Sequence, residues 1–342
     1  MTTKQRVLLL GATGETGRSI LQGLLEDGES FEVEVLVRPS STTKPAVKAL
    51  AERGVNIRVA DITGPIEDLV KVLSGIDVLI SVIDAGSQLA QIQLATAAKE
   101  AGVKRFIPCA FITVAPPGGV MALRDSKEQV YQHIRKLYLP HTIIDVGFWY
   151  QISFPTVPSG RADYTAIIKP NAAIHGDGKT PTILIDREDI GRFVARIVKD
   201  NRTLNKSVIA YGDVLSENEV FGTMERLSGE KIERQYVSRA IRCDFRTQRF
   251  QISTDDIMSA RAETAAAAKA DPTNTFAGMM AWLQDYNYSK YVRGDNTLAH
   301  ATYLGYLDAR ELYPDFQPKG FEHFVRDVLD GKGEKRQAIS LR

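Results

Sequence analysis

A glycine-rich segment near the start of the chain has the residue types and spacing that bind a phosphate group. It reads GATGETG (residues 11–17) and lies between an apolar run and a helix-like pattern at residues 18–26. Gly11 permits a tight turn, Gly14 lets the backbone approach a pyrophosphate, and Gly17 allows close packing of helix on strand. The helix N-terminus adds unpaired N–H groups. A turn that binds nothing is the alternative, but the flanking strand and helix favour a dinucleotide site.

The residue that follows the second predicted strand bears on the choice between NAD(H) and NADP(H). NAD-binding proteins usually place an acidic residue about 20 residues past the glycines, against the ribose 2′-hydroxyl. This chain has Arg38 there, followed by hydroxyl-bearing residues 40–43 and Lys44. Because arginine binds phosphate through paired donors, these residues predict NADP(H), and an exposed loop arginine is the alternative. Asp61, past the third predicted strand, either approaches the adenine or caps a turn.

Alternating apolar runs and helical patterns must position these residues. The apolar runs are at residues 6–11, 33–37, 55–59, 78–82, 105–108 and 142–146. Helical periodicity separates them, which predicts a doubly wound, Rossmann-type parallel α/β sheet. After residue 147 prolines and glycines crowd the sequence, and we expect a smaller mixed α/β lobe there. We therefore expect an NADP(H)-binding domain over residues 1–150 and a substrate-binding lobe over residues 151–342, partly interleaved with the first.

Composition limits the classes of partner. The 342 residues carry a net charge of +1, with 44% hydrophobic and 25% charged residues. That balance predicts neither nucleic-acid nor membrane binding and favours a small-molecule partner. The two cysteines, Cys109 and Cys243, cannot form a disulfide framework, and no metal-binding spacing of cysteine or histidine occurs. With no apolar leader segment at the N-terminus, these features predict a cytoplasmic protein.

The chain resembles the NmrA-like and isoflavone reductase-like family of atypical short-chain dehydrogenases. The matching segments are residues 11–17, 33–38, 91–106, 304–306 and 312–314. The resemblance covers nearly the whole chain. It implies a Rossmann fold, but only weakly a reaction, because reductases and cofactor-sensing regulators share this scaffold.

The resemblance also implies a catalytic lysine. Family reductases carry a lysine on the helix after the fifth strand, and the DSKE sequence at residues 125–128 opens such a helix here, which points to Lys127. Near the nicotinamide ribose a lysine holds the cofactor and moves a proton at the substrate. A solvated surface lysine is the alternative.

The chain departs from the family pattern after the fifth strand. Family reductases typically read PSEFG there, whereas residues 108–112 read PCAFI. The carboxylate of the family pattern is therefore absent, and Cys109 is expected to be a packing residue at the cofactor face rather than a nucleophile. A Tyr-x3-Lys spacing occurs once, from Tyr286 to Lys290, and its distance in sequence from the sheet indicates chance. No tyrosine stands four residues before Lys127.

Two sets of site residues follow. Aromatic residues after the sixth strand lie at the sheet edge where open α/β folds bind ligands, and they suit a flat, apolar small molecule, aromatic or heterocyclic, as the substrate. The expected substrate pocket consists of Phe111, Phe148, Trp149, Tyr150 and Phe154. The expected cofactor-binding residues are Gly11, Thr13, Gly14, Glu15, Thr16, Gly17, Arg38, Lys44, Asp61, Val82, Cys109 and Lys127.

Together these features predict an NADPH-dependent reductase. The expected acceptor is a conjugated C=C, C=N or quinone-methide-like group in a bulky apolar compound of specialised metabolism, with a redox-neutral cyclisation as a related reaction. The alternative is an NADP(H)-sensing regulatory protein without chemistry, favoured by the altered segment after the fifth strand.

Overall fold

The computed structural model describes residues 4–167, 173–234, 254–271 and 273–335; Cys243 lies outside them. The strands are β1 (Gln5–Leu10), β2 (Phe31–Val37), β3 (Asn56–Val59), β4 (Val78–Ser81), β5 (Arg105–Ile107), β6 (Thr142–Asp145), β7 (Phe148–Trp149), β8 (Thr182–Ile185), β9 (Lys206–Ile209), β10 (Asp213–Leu215) and β11 (Tyr306–Asp308). The α-helices are α1 (Glu15–Glu26), α2 (Pro45–Glu52), α3 (Ile66–Leu73), α4 (Gln91–Glu100), α5 (Ala122–Lys136), α6 (Arg187–Lys199), α7 (Glu217–Ser228), α8 (Thr254–Ala270), α9 (Thr275–Asn287), α10 (Leu298–Tyr303), α11 (Ala309–Leu312) and α12 (Phe321–Leu329). Short 3-10 segments and a π-helical turn at Tyr288–Arg293 join some of them.

A parallel sheet with the order β3-β2-β1-β4-β5 forms the centre of the first half of the chain. Strand β1 is buried on both faces because successive side chains alternate: Val7 and Leu9 pack on one side and Leu8 on the other. Helices α1, α2 and α6 cover the first side, and α3, α4 and α5 cover the second. The structure confirms the predicted doubly wound fold.

The strand order reverses between β1 and β4. In open α/β sheets the crevice at such a point, outside the carboxyl ends of the strands, is where ligands bind. The glycine segment follows β1, and Val82 follows β4. The fold therefore places the predicted phosphate loop at the switch point.

The sixth strand is less firmly joined to the sheet than the sequence predicts. An isolated bridge from Phe106 to His141 links β5 to β6, which pairs instead with β9 in the sheet β11-β9-β6. Strand β5 is short because the chain turns at Pro108, whose nitrogen has no proton to donate. Beyond that turn the backbone meets the β6 segment again, with the Phe111 amide donating to the Ile144 carbonyl at 2.8 Å.

Residues from the second half of the chain pack on the first sheet. Helix α6 lies against α1 so closely that a Cβ on Gly191 would come within 1.8 Å of the Ser19 carbonyl oxygen, and one on Gly23 within 2.3 Å of the Gly191 backbone. A separate core unites the 3-10 turn after β7 with α7 and α12. Strand β7, which follows β6 in the chain, belongs to the small sheet β10-β8-β7 and leads into this second core.

Candidate functional site

The glycine segment forms a turn in which two of the three glycines cannot be replaced by another residue type. Gly11 has φ +88°, and a Cβ there would lie 1.8 Å from the carbonyl oxygen of Val82. A Cβ on Gly17 would lie 2.0 Å from the Gly11 carbonyl oxygen, whereas a Cβ on Gly14 would meet only that oxygen, at 3.5 Å. Gly14 is the N-cap of α1 and provides no side-chain cap. Two glycines thus close the turn, and the third leaves the helix N-terminus open to an anion.

The other residues of the segment differ in exposure. Thr13 is exposed, and Thr16 is buried at the start of the helix. The carboxylate of Glu15 pairs with Arg18 at 2.8 Å and with the buried Arg187. Because two guanidinium groups compensate its charge, Glu15 does not make the turn repel a phosphate.

The residues predicted for the adenosine end lie after β2 and β3. Arg38 is exposed and donates from Nε to Ser41 Oγ at 3.3 Å, and Lys44 is exposed at the N-cap of α2. Asp61 accepts hydrogen bonds from Thr63 N at 2.9 Å and Thr63 Oγ1 at 2.7 Å. These bonds, and more weakly the charge of Arg38, lower the pKa of Asp61. Asp61 therefore caps a turn beside Arg38, which is one of the two roles predicted for it.

Lys127 lies inside the protein. Its side chain projects from α5 and is 2% exposed. Nζ donates to the Cys109 carbonyl oxygen at 2.6 Å and to Gln88 Oε1 at 3.0 Å. Burial lowers the pKa of the Lys127 amine. The surface-lysine alternative is wrong, since α5 directs this amine at the carboxyl end of β5.

Two buried glutamines fix the backbone that holds Lys127. The Cys109 amide donates to Gln91 Oε1 at 2.7 Å, and Gln91 Nε2 donates to Gln88 Oε1 at 3.1 Å. Cys109 is 6% exposed, and its thiol donates to the Ile83 carbonyl at 3.3 Å. Neither glutamine was predicted from the sequence; the available signal was two glutamines three residues apart, Gln88 in the 3-10 segment before α4 and Gln91 at its first residue.

Phe111 has a backbone conformation that is rare for a bulky residue. Its φ is +48°, in the left-handed region that favours glycine. The hydrogen bond from its amide to Ile144 holds this conformation. Strained residues of this kind are concentrated at ligand sites. Phe111 follows Cys109, the residue that Lys127 contacts, by two positions in the sequence.

An apolar cavity of about 220 Å³ opens beside this strained turn. It is lined by Phe111, Ile112, Gly147, Phe148, Trp149, Ile152, Met279, Trp282, Leu283 and Tyr286. The walls come from the segments after β5 and β6 and from α9. Three of the five residues predicted for the substrate pocket therefore meet at one cavity.

Tyr150 and Phe154, also predicted to line the pocket, lie elsewhere. Tyr150 is fully buried in the core around α12, and its hydroxyl donates to Asp213 Oδ2 at 2.5 Å. Phe154 packs in the same core, with its ring 5.8 Å from that of Phe324. The reason is local: the chain is extended at Phe148–Trp149 and then enters a 3-10 turn, which directs Tyr150 into the second core and keeps Ile152 at the cavity.

The Tyr-x3-Lys spacing, interpreted above as chance, lies at this cavity. Tyr286 is part of the wall, with its ring centroid 5.6 Å from that of Phe148. Lys290 is 2% exposed, and its Nζ lies 3.4 Å from the Phe148 ring centroid and 3.2 Å from the Tyr291 hydroxyl. Burial lowers the pKa of Lys290 to about 7. Distance in sequence concealed this proximity, since α9 folds back onto the sheet edge.

Within the described ranges, no helix is long and apolar enough to cross a membrane, and histidine, cysteine and acidic residues form no cluster that could hold a metal ion.

Known proteins resemble this chain over nearly its whole length. The model of the NmrA-like family matches residues 3–324. Asnovolin J 5′,6′-dehydrogenase of Aspergillus novofumigatus is 41% identical over 333 residues, covering 97% of each chain. A phenylcoumaran benzylic ether reductase of Ginkgo biloba is 28% identical, covering 95% of this chain and 99% of the relative. The NADPH complex of leucoanthocyanidin reductase from Vitis vinifera has the same fold, with a TM-score of 0.75, 24% identity and coverage of 95% and 99%.

Proposed function

We propose an NADPH-dependent reductase function for this chain, which belongs to the NmrA-like family. The acceptor is a conjugated double bond in a bulky apolar compound of specialised metabolism. The observation that carries the proposal is the buried amine of Lys127, which contacts Cys109 two residues before Phe111 in the wall of an apolar cavity. Relatives named as a 5′,6′-dehydrogenase and as a benzylic ether reductase support this reaction class.

The residues around the sheet edge fit the cofactor. The open N-terminus of α1 at Gly14 receives the pyrophosphate. Arg38 and Lys44 contribute positive charge for a 2′-phosphate. NADPH, when bound, supplies the hydride. Val82, whose carbonyl contacts the Gly11 turn, and Cys109 form the floor of the crevice.

Lys127 and the cavity perform the remaining tasks. The ammonium group of Lys127 orients the nicotinamide ribose and stabilises negative charge that develops on the acceptor. The aromatic rings of Phe111, Phe148 and Trp149 hold the ring system of the substrate and exclude water. Exclusion of water strengthens the interaction between the lysine and the developing charge, because the local dielectric constant is lower.

The test uses purified protein, NADPH and a panel of apolar enones, imines and quinone methides. We expect NADPH oxidation with some acceptor, and loss of turnover in Lys127→Met with folding and NADPH affinity retained to within about tenfold. Exposed Lys48 on α2 gives the control variant Lys48→Met.

Other outcomes separate the competing functions. NADPH binding without turnover across the panel would favour the cofactor-sensing regulator. With NADPH deuterated at nicotinamide C4, transfer of deuterium to a reduced product supports the reductase, whereas a rearranged product with the deuterium still on the cofactor indicates a redox-neutral cyclisation.

A further inference from the structure

The described residues that line the cavity carry one hydroxyl group, the phenol of Tyr286. The other side chains in this set are aliphatic, phenyl, thioether or indole groups. Within this set the phenol is therefore the only side chain that can pass a proton to a substrate oxygen by ordinary acid catalysis. Among the described residues, no other side chain or backbone group accepts or donates a hydrogen bond at this phenol, which leaves it available to a ligand.

Tyr286 is held in place relative to Lys127. The neighbouring residue Asp285 accepts a hydrogen bond from the Ala122 amide at 2.9 Å, at the start of the helix that carries Lys127. Arg261 donates to the same carboxylate at 2.7 Å. These contacts attach the end of α9 to the start of α5.

Tyr286 lines the cavity together with the segment that contacts Lys127. Phe111, in the same cavity wall, follows by two residues Cys109, whose carbonyl accepts the hydrogen bond from Lys127. The Tyr286 ring packs against Phe148 and against residues that precede α5. The wall that carries the phenol therefore continues, through Phe111, into the backbone that holds the catalytic lysine of the proposed function.

On the basis of the proposed reductase function, we propose that Tyr286 is a catalytic residue that donates a proton to the carbonyl oxygen of an α,β-unsaturated ketone held in this cavity. The substrate class is an apolar, ring-shaped enone with one carbonyl group directed at α9. The aliphatic and aromatic walls accept its hydrocarbon skeleton.

The reaction balances with one cofactor and one proton. The enone gains a hydride at its β-carbon, the electrons of the C=C bond shift toward the carbonyl carbon, and those of the C=O bond shift to the oxygen. The O–H bond of Tyr286 breaks as its proton goes to that oxygen, and the resulting enol converts to the saturated ketone. NADPH is oxidised to NADP⁺, the enone is reduced, and solvent returns a proton to the phenolate.

The protonation state of Tyr286 agrees with this role. Burial, reinforced by Asp145 and Cys109, raises the pKa of the phenol above its usual value of 10. The group therefore keeps its proton at neutral pH until negative charge develops on the substrate oxygen.

A binding experiment without cofactor tests the hydrogen bond. Trp149 and Trp282 line the cavity, so ligand binding is measured by the change in the intensity and wavelength of tryptophan fluorescence. The probes are a bicyclic enone (an octalone) and the octalin hydrocarbon of the same carbon skeleton. The preference is the ratio of the affinity for the enone to the affinity for the hydrocarbon, whose greater hydrophobicity favours it in any apolar cavity. We expect the hydrogen bond from Tyr286 to raise this ratio about fivefold in the wild-type protein.

Tyr286→Phe should lower that preference about fivefold while keeping the ring and the thermal unfolding midpoint. Tyr288→Phe is the matched control, because Tyr288 lies in the same segment but faces Arg261, outside the cavity lining, and it should keep the preference. A ratio of the two affinities that is the same in the wild-type protein and in Tyr286→Phe overturns the proposal.

Turnover gives the second readout. With an enone that the wild-type protein reduces, Tyr286→Phe should lower kcat by about 10²-fold or more with NADPH affinity unchanged. An unchanged kcat overturns the role of Tyr286 and leaves the reductase function intact. A wild-type protein that binds no NADPH overturns the reductase function itself, so the two failures are distinguishable.

Discussion

The buried amine of Lys290 makes the stability of the fold depend on pH. Its pKa falls from 10.5 to about 7 because burial removes water from the charged form. The unfolded chain therefore binds one more proton than the folded chain between these values, and stability rises with pH across that window. Burial of the charged amine lowers the free energy of unfolding by roughly 5 kcal/mol below pH 7, and this destabilisation vanishes above pH 10.5.

Replacing Lys290 with methionine removes the titrating group and keeps a flexible side chain of similar length against Phe148. The variant should be more stable than the wild type at pH 6, and this advantage should shrink by roughly 3 kcal/mol between pH 6 and pH 9. Urea unfolding followed by tryptophan fluorescence at several pH values measures the free energy of unfolding of both proteins. Exposed Lys48 gives the control Lys48→Met, for which the difference from wild type should not change with pH. A difference for Lys290→Met that stays constant to within about 0.5 kcal/mol would refute the reasoning.

Three further expectations concern the cofactor site and Lys127. Arg38→Ala should weaken NADPH binding by roughly ten- to a hundredfold in calorimetry and leave NADH binding nearly unchanged, and the control Arg53→Ala should alter neither. Equal losses for both cofactors would contradict a 2′-phosphate contact. Gly17→Ala places a Cβ 2.0 Å from the Gly11 carbonyl oxygen. It should lower the free energy of unfolding by about 1–3 kcal/mol and weaken NADPH binding. Gly222→Ala is the control, because its Cβ meets no atom within 4 Å, and it should not destabilise the protein. Because burial lowers the pKa of Lys127, turnover should fall as pH rises through a value below 10.5. Lys127→Arg stays charged and should move this fall in turnover to higher pH. If turnover falls at the same pH in both proteins, another group is responsible for it.

The first half of the fold could be predicted because its signals are local. A strand buried on both faces reads as a continuous apolar run, and a glycine that must contact a neighbouring carbonyl can be replaced by no other residue. The doubly wound fold and the NmrA-like family were both predicted and are confirmed. The domain division at residue 150 stays a prediction.

The cavity was harder to predict because its residues meet only in three dimensions. Phe148 and Trp149 were identified by their position after a strand, but the same argument also selected Tyr150, since a sequence does not show where an extended segment becomes a 3-10 turn. Tyr286 and Lys290 are more than a hundred positions from the strand ends they approach. Their Tyr-x3-Lys spacing was visible in the sequence, but the contact of both residues with Phe148 depends on how α9 folds back.

The two halves of the site come from different parts of the chain, and this division has a consequence for specificity. Residues up to Lys127 form the crevice at the switch point of the sheet, whereas Met279, Trp282, Leu283 and Tyr286 on α9 form one wall of the cavity. Helix α9 touches the first half at a defined place, through Asp285 at the start of α5. Substitutions on the cavity face of α9 can therefore change the shape offered to a substrate without moving the glycine turn or the lysine. Under the proposed function, a shared sheet with a variable wall lets one scaffold reduce different apolar compounds, because cofactor binding and the choice of acceptor depend on separate sets of contacts.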